Sequence, residues 1–377
     1  MSSFSRGNFL FIVQGEGRGH MTQAIALQNM LHKAGFTVSE VLIGKSPKRS
    51  IPDFVKQQIK CPITQFDSPN FKTDAKMKSI KIFPSVVSNL MELGSFRKSL
   101  KLIRAKIKEH QPDIIINFYD PLAGLLYFFN PPSMPMICIA HQYIYHHPGF
   151  EFPKGRFMDM LTLKFYTMLT SIGSAKKLAL SFYPINNNER NSIVAMPPLL
   201  RSEVFQQEIK NDGYLLAYLL NIGYMEEIIE WHKKNPETEI HCFTDRKEGE
   251  EVFHYSDKLH FHKLNDKKFL EMMSGAKALI TTAGFESVCE AMYLGKPVFM
   301  VPVEGHYEQY CNARDAVKAG AGTYDSRFDI DKLFRYLPKH KNNNKVFTQW
   351  VDSAQERLLD ELYPYLAPEF SSALINA

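Results

Sequence analysis

Residues 281–313 read Thr-Thr-Ala-Gly-Phe-Glu-Ser-Val-Cys-Glu-Ala-Met-Tyr-Leu-Gly-Lys-Pro-Val-Phe-Met-Val-Pro-Val-Glu-Gly-His-Tyr-Glu-Gln-Tyr-Cys-Asn-Ala, and this stretch decides the fold. Residues 278–281 end an apolar strand, Gly284 permits a tight turn, and 285–294 has helical periodicity that stops at Gly295-Lys296-Pro297. A helix starting just after a strand presents free backbone N–H groups and a positive dipole end, which suits a diphosphate. Glu286 and Glu290 are four residues apart and so share one helical face. A second apolar strand, 298–303, delivers the polar loop 304–309 to the same sheet edge, where an open α/β sheet binds its ligands. A plain strand–helix unit accounts for Phe285, Val288, Met292 and Leu294 as core, but not for Glu286, Glu290, Glu308 and Gln309 around one turn.

Outward from this stretch, strands and helices alternate in both halves of the 377 residues, which predicts α/β architecture with two parallel sheets. In the first half, strands are expected at 9–13, 36–43, 114–118, 136–140 and 177–182. Helices are expected at 21–34 and 98–110, the second basic and amphipathic with Leu102, Ile103 and Ile107 on its apolar side. Residues 184–203, with Asn186-Asn187-Asn188 and Pro197-Pro198, read as an interdomain linker. A second sheet then opens at 214–220, breaks at Asn221-Ile222-Gly223, and continues at 239–244, 259–262 and 278–281. Residues 346–366 are helical in pattern and fall outside that sheet. The expected domains are 1–198, 199–345 and a terminal helical segment, 346–377.

Apolar content of 45% and 23% charged residues fit a globular enzyme of two domains. No run of about 18 apolar residues predicts a spanning helix, and residues 9–13 are too short for a signal-peptide core, so a cytoplasmic location is expected. Five cysteines without a C-x-x-C pair argue against a disulfide framework or a cysteine-held zinc. The net charge of +5 is unevenly spread: residues 1–200 carry 24 Lys+Arg against 12 Asp+Glu, the remainder 21 against 28. No nucleic-acid-binding motif accompanies the basic half. Anionic lipid headgroups are the better candidate partner, against the plainer reading of a solvated charged face. The aromatic and basic stretch 152–177 reads as a core helix or, alternatively, as an interfacial helix at a membrane or the mouth for a lipid acceptor.

The first glycine loop, Gln14-Gly15-Glu16-Gly17-Arg18-Gly19-His20, fails the dinucleotide fingerprint, because His20 occupies the place of the third glycine. Together with residues 278–314 it resembles the GT-B nucleotide-sugar glycosyltransferases. The nearest look is to the plant-type and peptidoglycan transferases and to a bacterial and archaeal group with a Gly-Glu-Gly-Arg-Gly-His loop. That resemblance implies two Rossmann-like domains facing each other across a cleft, with the terminal helices crossing back to the first. It implies an inverting transfer from a nucleotide diphosphate sugar, most often a UDP-sugar, to the hydroxyl of a lipid, glycan or small-molecule acceptor, with no metal or other cofactor required. His20 stands where the family's general base stands, and neutral imidazole suits that task. Asp120 is the carboxylate left to orient it, although relatives place theirs nearer the strand end, about where Asn117 or Phe118 stands; as the residue before Pro121 it reads equally as a turn residue. On the donor side the resemblance assigns Thr282 and Ser287 to the diphosphate, Gly284 to its close approach, Glu290 to the ribose hydroxyls, and Glu308 and Gln309 to the sugar. Gly223, in the glycine turn that opens the second half, joins this donor set. Glu286 departs from the pattern, since a carboxylate near a diphosphate must point away or pair with a cation.

Two further constellations offer themselves. His141, His146 and His147 allow a metal or an acceptor-lining loop, but no carboxylate or cysteine completes a ligand set. Asp329-Ile330-Asp331 matches a D-x-D, yet it precedes a helical pattern and is explained by capping. A nucleotide-sugar epimerase of the same fold, using Glu304 or Glu308, and an inactive nucleotide-sugar-binding protein are the alternatives.

Overall fold

The computed structural model describes residues 7–45, 50–69, 72–73, 80–81, 93–219, 222–246, 248–341 and 344–366. These fall into two compact units, one within 1–71, 82–201 and 350–377, the other within 72–81 and 202–349.

The first unit is built on seven strands: β1 (Asn8–Gln14), β2 (Thr37–Lys45), β3 (Ile63–Asp67), and β6 to β9, which are Ile114–Phe118, Met136–Ala140, Lys176–Leu180 and Ile193–Met196. The intervening β4 (Lys72–Thr73) and β5 (Ile80–Lys81) pair only with each other. The sheet runs β3-β2-β1-β6-β7-β8-β9 and is parallel throughout. The runs Phe-Leu-Phe-Ile-Val and Ile-Ile-Ile-Asn-Phe are buried on both faces, the signature of a strand covered by helices on either side. Strand β9 falls inside the stretch expected to be a linker. Its Ile-Val-Ala-Met is apolar, but four residues beside three asparagines and two prolines give too little periodicity to stand out.

Helices α1 (Gly19–Lys33), α2 (Asp53–Gln58), α3 (Leu93–His110), α4 (Pro121–Phe129) and α5 (Phe157–Thr170) serve this sheet. In α3, Phe96, Ser99, Ile103 and Ile107 are buried, whereas Lys98, Lys101, Arg104 and Lys108 are exposed. The helix is pinned to β2 by Glu40, a buried carboxylate 3.2 Å from Lys106 Nζ and 2.6 Å from His110 Nε2. Burial would raise the Glu40 pKa, but hydrogen bonds from Thr64, His110 and Lys106 outweigh it and hold the carboxyl below its usual value. Trp350 Nε1 donates to Ser181 O (3.0 Å), and Glu361 pairs with Lys176, so the chain's last described helices also serve this unit.

The second unit has its own seven-stranded sheet. Its strands are β10 (Leu215–Leu219), β11 (Ile240–Thr244), β12 (Val252–Ser256), β13 (Leu259–Lys263), β14 (Ala278–Thr281), β15 (Val298–Met300) and β16 (Gly322–Tyr324). They lie in the order β12-β13-β11-β10-β14-β15-β16, all parallel except the edge strand β12. Helices α6 to α10 follow as Met225–Lys234, Asp266–Gly275, Phe285–Tyr293, Tyr307–Lys318 and Ile330–Tyr336. Leu215, Ala217, Ile240, Cys242, Phe261, Ile280 and Phe299 form the core on one face, closed by Ile228 of α6 and by Ile330 and Leu333 of α10.

Candidate functional site

In the first sheet the connections reverse direction between β1 and β6: the chain goes from β1 out to β2 and β3, then from β6 out to β7, β8 and β9. The carboxyl ends of β1 and β6 therefore flank the crevice where open α/β sheets hold ligands. The glycine loop leaves β1 there and Asp120 follows β6 there. His20 is the second residue of α1, with its ring stacked on Tyr119 at a centroid distance of 5.5 Å. Tyr119 holds φ +64°, a strained left-handed conformation for a bulky residue and of the kind that gathers at functional sites. Burial lowers the His20 pKa to about 4, so the imidazole is neutral at physiological pH.

The partner of His20 is not Asp120. His20 Nδ1 lies 3.2 Å from Gln23 Oε1, one helical turn on, so Nδ1–H donates and Nε2 keeps its lone pair. Asp120 is fully buried, with its oxygens used elsewhere: Ser68 Oγ donates to Oδ2 (2.7 Å) and the Leu122 amide donates to Oδ1 (2.9 Å), which makes Asp120 the N-cap of α4. Burial is the largest influence on its pKa and raises it to about 6, against the lowering effect of those donors. The expected His–Asp pair is thus replaced by a His–Gln pair, and Asp120 serves as the cap of α4. The i, i+3 spacing of His20 and Gln23 was readable in the sequence as one helical face.

Close packing explains two glycines here. Gly15 donates its amide to Gly44 O (2.7 Å), and a Cβ on Gly44 would meet Asp120 Oδ2 at 2.2 Å and the Phe66 ring at 2.7 Å. Gly44→Ala is expected to destabilise the protein by about 1–3 kcal/mol through overpacking, read as a lower midpoint in denaturant with an unchanged slope. An unchanged midpoint would mean that Asp120 moves aside freely.

In the second sheet the reversal lies between β10 and β14. Gly223 sits in the tight turn Ile222–Tyr224 after β10, Thr282 to Glu290 follow β14, and Glu308 and Gln309 follow β15. All seven expected donor residues thus attach to the carboxyl ends of three neighbouring strands. The left-handed turn residue is Ala283, at φ +59°, and not Gly284, which is extended at φ −70°. Gly284 instead leaves open space, since the nearest atom to a Cβ there would be Ser287 Oγ at 3.8 Å. Ser287 Oγ donates to Gly284 O (3.3 Å) and lies 3.4 Å from Thr281 Oγ1. Asn312 Nδ2 donates to Ala283 O (3.3 Å), tying the two loops together, and Glu290 is buried on α8 (Phe285–Tyr293). Gln309 Oε1 accepts from the Val303 amide (2.9 Å), so its Nε2 side is the one left to meet a ligand.

His306 is the residue that sequence reasoning passed over. Its Nδ1 accepts from the Gln309 amide (3.4 Å), capping α9 (Tyr307–Lys318). This places the remaining proton of the neutral ring on Nε2, and burial lowers its pKa to about 4.

The other constellations resolve into structure. His141 Nδ1, His146 Nε2 and His147 Nε2 each contact a different backbone carbonyl, of Leu180, Lys164 and Asn186, at 2.7–3.0 Å. Asp329 caps α10 (Ile330–Tyr336) by accepting from the Lys332 amide (3.2 Å), while Asp331 accepts from Trp231 Nε1 (2.9 Å).

The family model described as Glycosyl transferase family 1 matches residues 7–339. No curated protein matches in sequence. Among solved structures, the glycotransferase of kitacinnamycin is similar with a TM-score of 0.64 at 15% identity, covering 96% of this chain and 99% of the other. MurG of Acinetobacter baumannii gives 0.54 at 16%, covering 95% and 99%. Arabidopsis thaliana UGT89C1 complexed with UDP-L-rhamnose gives 0.58 at 16%, covering 96% and 99%. Likeness at this identity establishes a shared GT-B fold.

Proposed function

The chain belongs to glycosyl transferase family 1, and we propose that this glycosyltransferase works by inversion, moving a sugar from a nucleoside diphosphate, UDP first among them, to an acceptor hydroxyl. The observation that carries this reading is the gathering of Gly223, Thr282, Gly284, Ser287, Glu290, Glu308 and Gln309 on segments that leave three adjacent strands at one switch point. The amino end of α8 and the open space before it suit a diphosphate. Buried Glu290 suits two ribose hydroxyls, and the Gln309 amide and His306 Nε2–H are donors for sugar or phosphate oxygens. The similar fold of UGT89C1, whose structure is of a complex with UDP-L-rhamnose, supports a UDP-sugar as the first donor to try.

Inverting transfer needs the acceptor proton removed as the hydroxyl attacks the anomeric carbon from the face opposite the leaving diphosphate. Neutral His20, held by Gln23 with Nε2 unprotonated, is the base. The departing charge is met by backbone N–H groups and the α8 dipole, so the chemistry at this site needs no metal. Donor panels with and without candidate lipid, glycan and phenolic acceptors test the reading. Nucleoside diphosphate release that depends on acceptor, with an inverted anomeric linkage in the product, is expected. Conversion of the donor to an epimer without acceptor would replace it with the epimerase reading, and binding without any turnover with the binding-only one.

A lipid acceptor or a peripheral membrane position is supported by the surface of the first unit. Among the described residues no helix is long and apolar enough to cross a membrane. Yet Phe128 and Phe129 at the end of α4, and Phe157, Met158, Leu161, Phe165 and Met168 along α5, are exposed, the most open at 72%. Helix α4 packs against both α5 and α3, and α3 exposes Lys98, Lys101, Arg104 and Lys108. An apolar face beside a basic one is the make-up of an interfacial surface. Sedimentation with anionic vesicles at low salt and release at high salt are expected, with each lysine or arginine worth about 1 kcal/mol near the surface. Equal recovery with neutral and anionic vesicles would leave these cations as a solvated helix face.

A further inference from the structure

We propose that the second unit carries a transition-metal site, of the kind that takes Zn²⁺, formed by Glu239, His241, His254 and His260 at the opposite end of the sheet from the sugar-donor loops. Three neighbouring strands bring these residues together. His241 of β11 (Ile240–Thr244) pairs in register with His260 of β13 (Leu259–Lys263), and His260 pairs with His254 of the antiparallel edge strand β12 (Val252–Ser256). Three imidazoles therefore stand in a row on one face of the sheet, with centroid spacings of 4.8 Å between His241 and His260 and 4.8 Å between His254 and His260. Glu239 enters from the residue before β11, its Oε1 2.9 Å from His241 Nε2. Ligand atoms of Glu239, His241 and His260 all lie within 4.8 Å of one another, and His254 Nδ1 is 2.7 Å from His260 Nδ1.

The chemistry of this set is that of a zinc site. Imidazole nitrogen and carboxylate oxygen are standard zinc donors; Glu239, His241 and His260 bring three of them within 4.8 Å of one another, and His254 joins the set through its contact with His260. Metal binding needs unprotonated imidazole. His262, on the same face, supports the site from behind: its Nε2 lies 3.0 Å from His241 Nδ1, fixing that ring as an outer-shell partner does. Because Glu239 and His254 are exposed, the ion has a path in from solvent. The alternative occupant of the same atoms is a hydrogen-bonded histidine ladder with no metal.

The site lies at residues that follow no zinc motif in sequence, since one ligand comes from before β11, one from within it and two, His254 and His260, from the hairpin β12–β13. It is also remote from the chemistry proposed above, whose loops all leave the carboxyl ends of the strands. The metal is therefore structural, clamping the edge strand β12 to β13 and β11.

The test uses the full-length protein stripped of metal with a chelator, then titrated calorimetrically with Zn²⁺ and separately with Co²⁺. One equivalent of Zn²⁺ binding at micromolar affinity or tighter is expected, with the visible spectrum of tetrahedral Co²⁺. His260→Gln should weaken binding at least tenfold, and so should Glu239→Gln, an exposed substitution that leaves the fold intact. Circular dichroism confirms folding, and the thermal midpoint of the wild type should rise with Zn²⁺ while that of Glu239→Gln rises less. Absence of saturable binding overturns the proposal, because the histidines then form only a ladder. Binding that neither substitution weakens overturns it too, because the ion is then held elsewhere.

Discussion

His20→Ala should lower turnover by about 10²–10⁴ while leaving nucleotide affinity unchanged, because a base at the first sheet's switch point acts on the acceptor and not on the donor. The pH profile carries the same assignment. With a pKa of about 4, His20 is unprotonated and competent at neutral pH, and kcat/KM should fall only as pH drops through about 4. Gln23 gives the ring a hydrogen bond but no charge. Replacing it by a carboxylate, Gln23→Glu, should stabilise the imidazolium and move that acidic limb to higher pH. The stability linkage has the matching sign: a histidine depressed in the folded state is protonated first in the unfolded chain, so its contribution to stability is lost as pH falls from about 6.5 towards 4. Near-normal turnover in His20→Ala would move the base elsewhere, with Glu16 next in line.

The second large effect is expected at Glu290. It is buried on α8, and a buried carboxylate accepting from two ribose hydroxyls should contribute roughly 2–4 kcal/mol to nucleotide binding. Glu290→Ala should therefore weaken nucleoside diphosphate affinity in calorimetry by about 30-fold to 1000-fold. Circular dichroism and thermal unfolding show whether the variant is folded. A folded variant with wild-type affinity would remove Glu290 from the ribose.

What was legible in the sequence followed from pattern. The apolar runs at 9–13 and 114–118, buried on both faces and the second interrupted only by Asn117, announced parallel strands; the strand 278–281 and the helix from 285 fall within a residue of expectation, while the next strand, expected over 298–303, ends at Met300. Short elements escaped for the converse reason: β9, β12 and β16 have five residues or fewer, and β12 exposes three of its five, so alternation had nothing to read. At the sites, residue type and spacing identified which side chains gather, but not which of them touch. Asp120 was the one carboxylate at its strand end and so drew the orienting role, yet packing against Ser68 and Gly44 turns it away from His20. A tight turn is expected at Gly284, but the left-handed residue in it is Ala283, whose carbonyl accepts from Asn312 on another helix. Strain of that kind, at Ala283 and again at Tyr119, is imposed by tertiary contacts and leaves no local mark. The histidine row across β11, β13 and β12 is of the same type, since strand register and not sequence spacing brings it together.

If the loops after β10, β14 and β15 hold a nucleoside diphosphate, a thermal-shift panel of UDP, TDP, GDP, ADP and CDP will show it. A ligand at a hundred times its Kd adds about 2.7 kcal/mol of stability. At least one of the five, UDP first among them, should raise the thermal midpoint with increasing concentration, and Glu290→Ala should flatten the response. A panel in which none of the five moves the midpoint of the wild-type protein at millimolar concentration would contradict it.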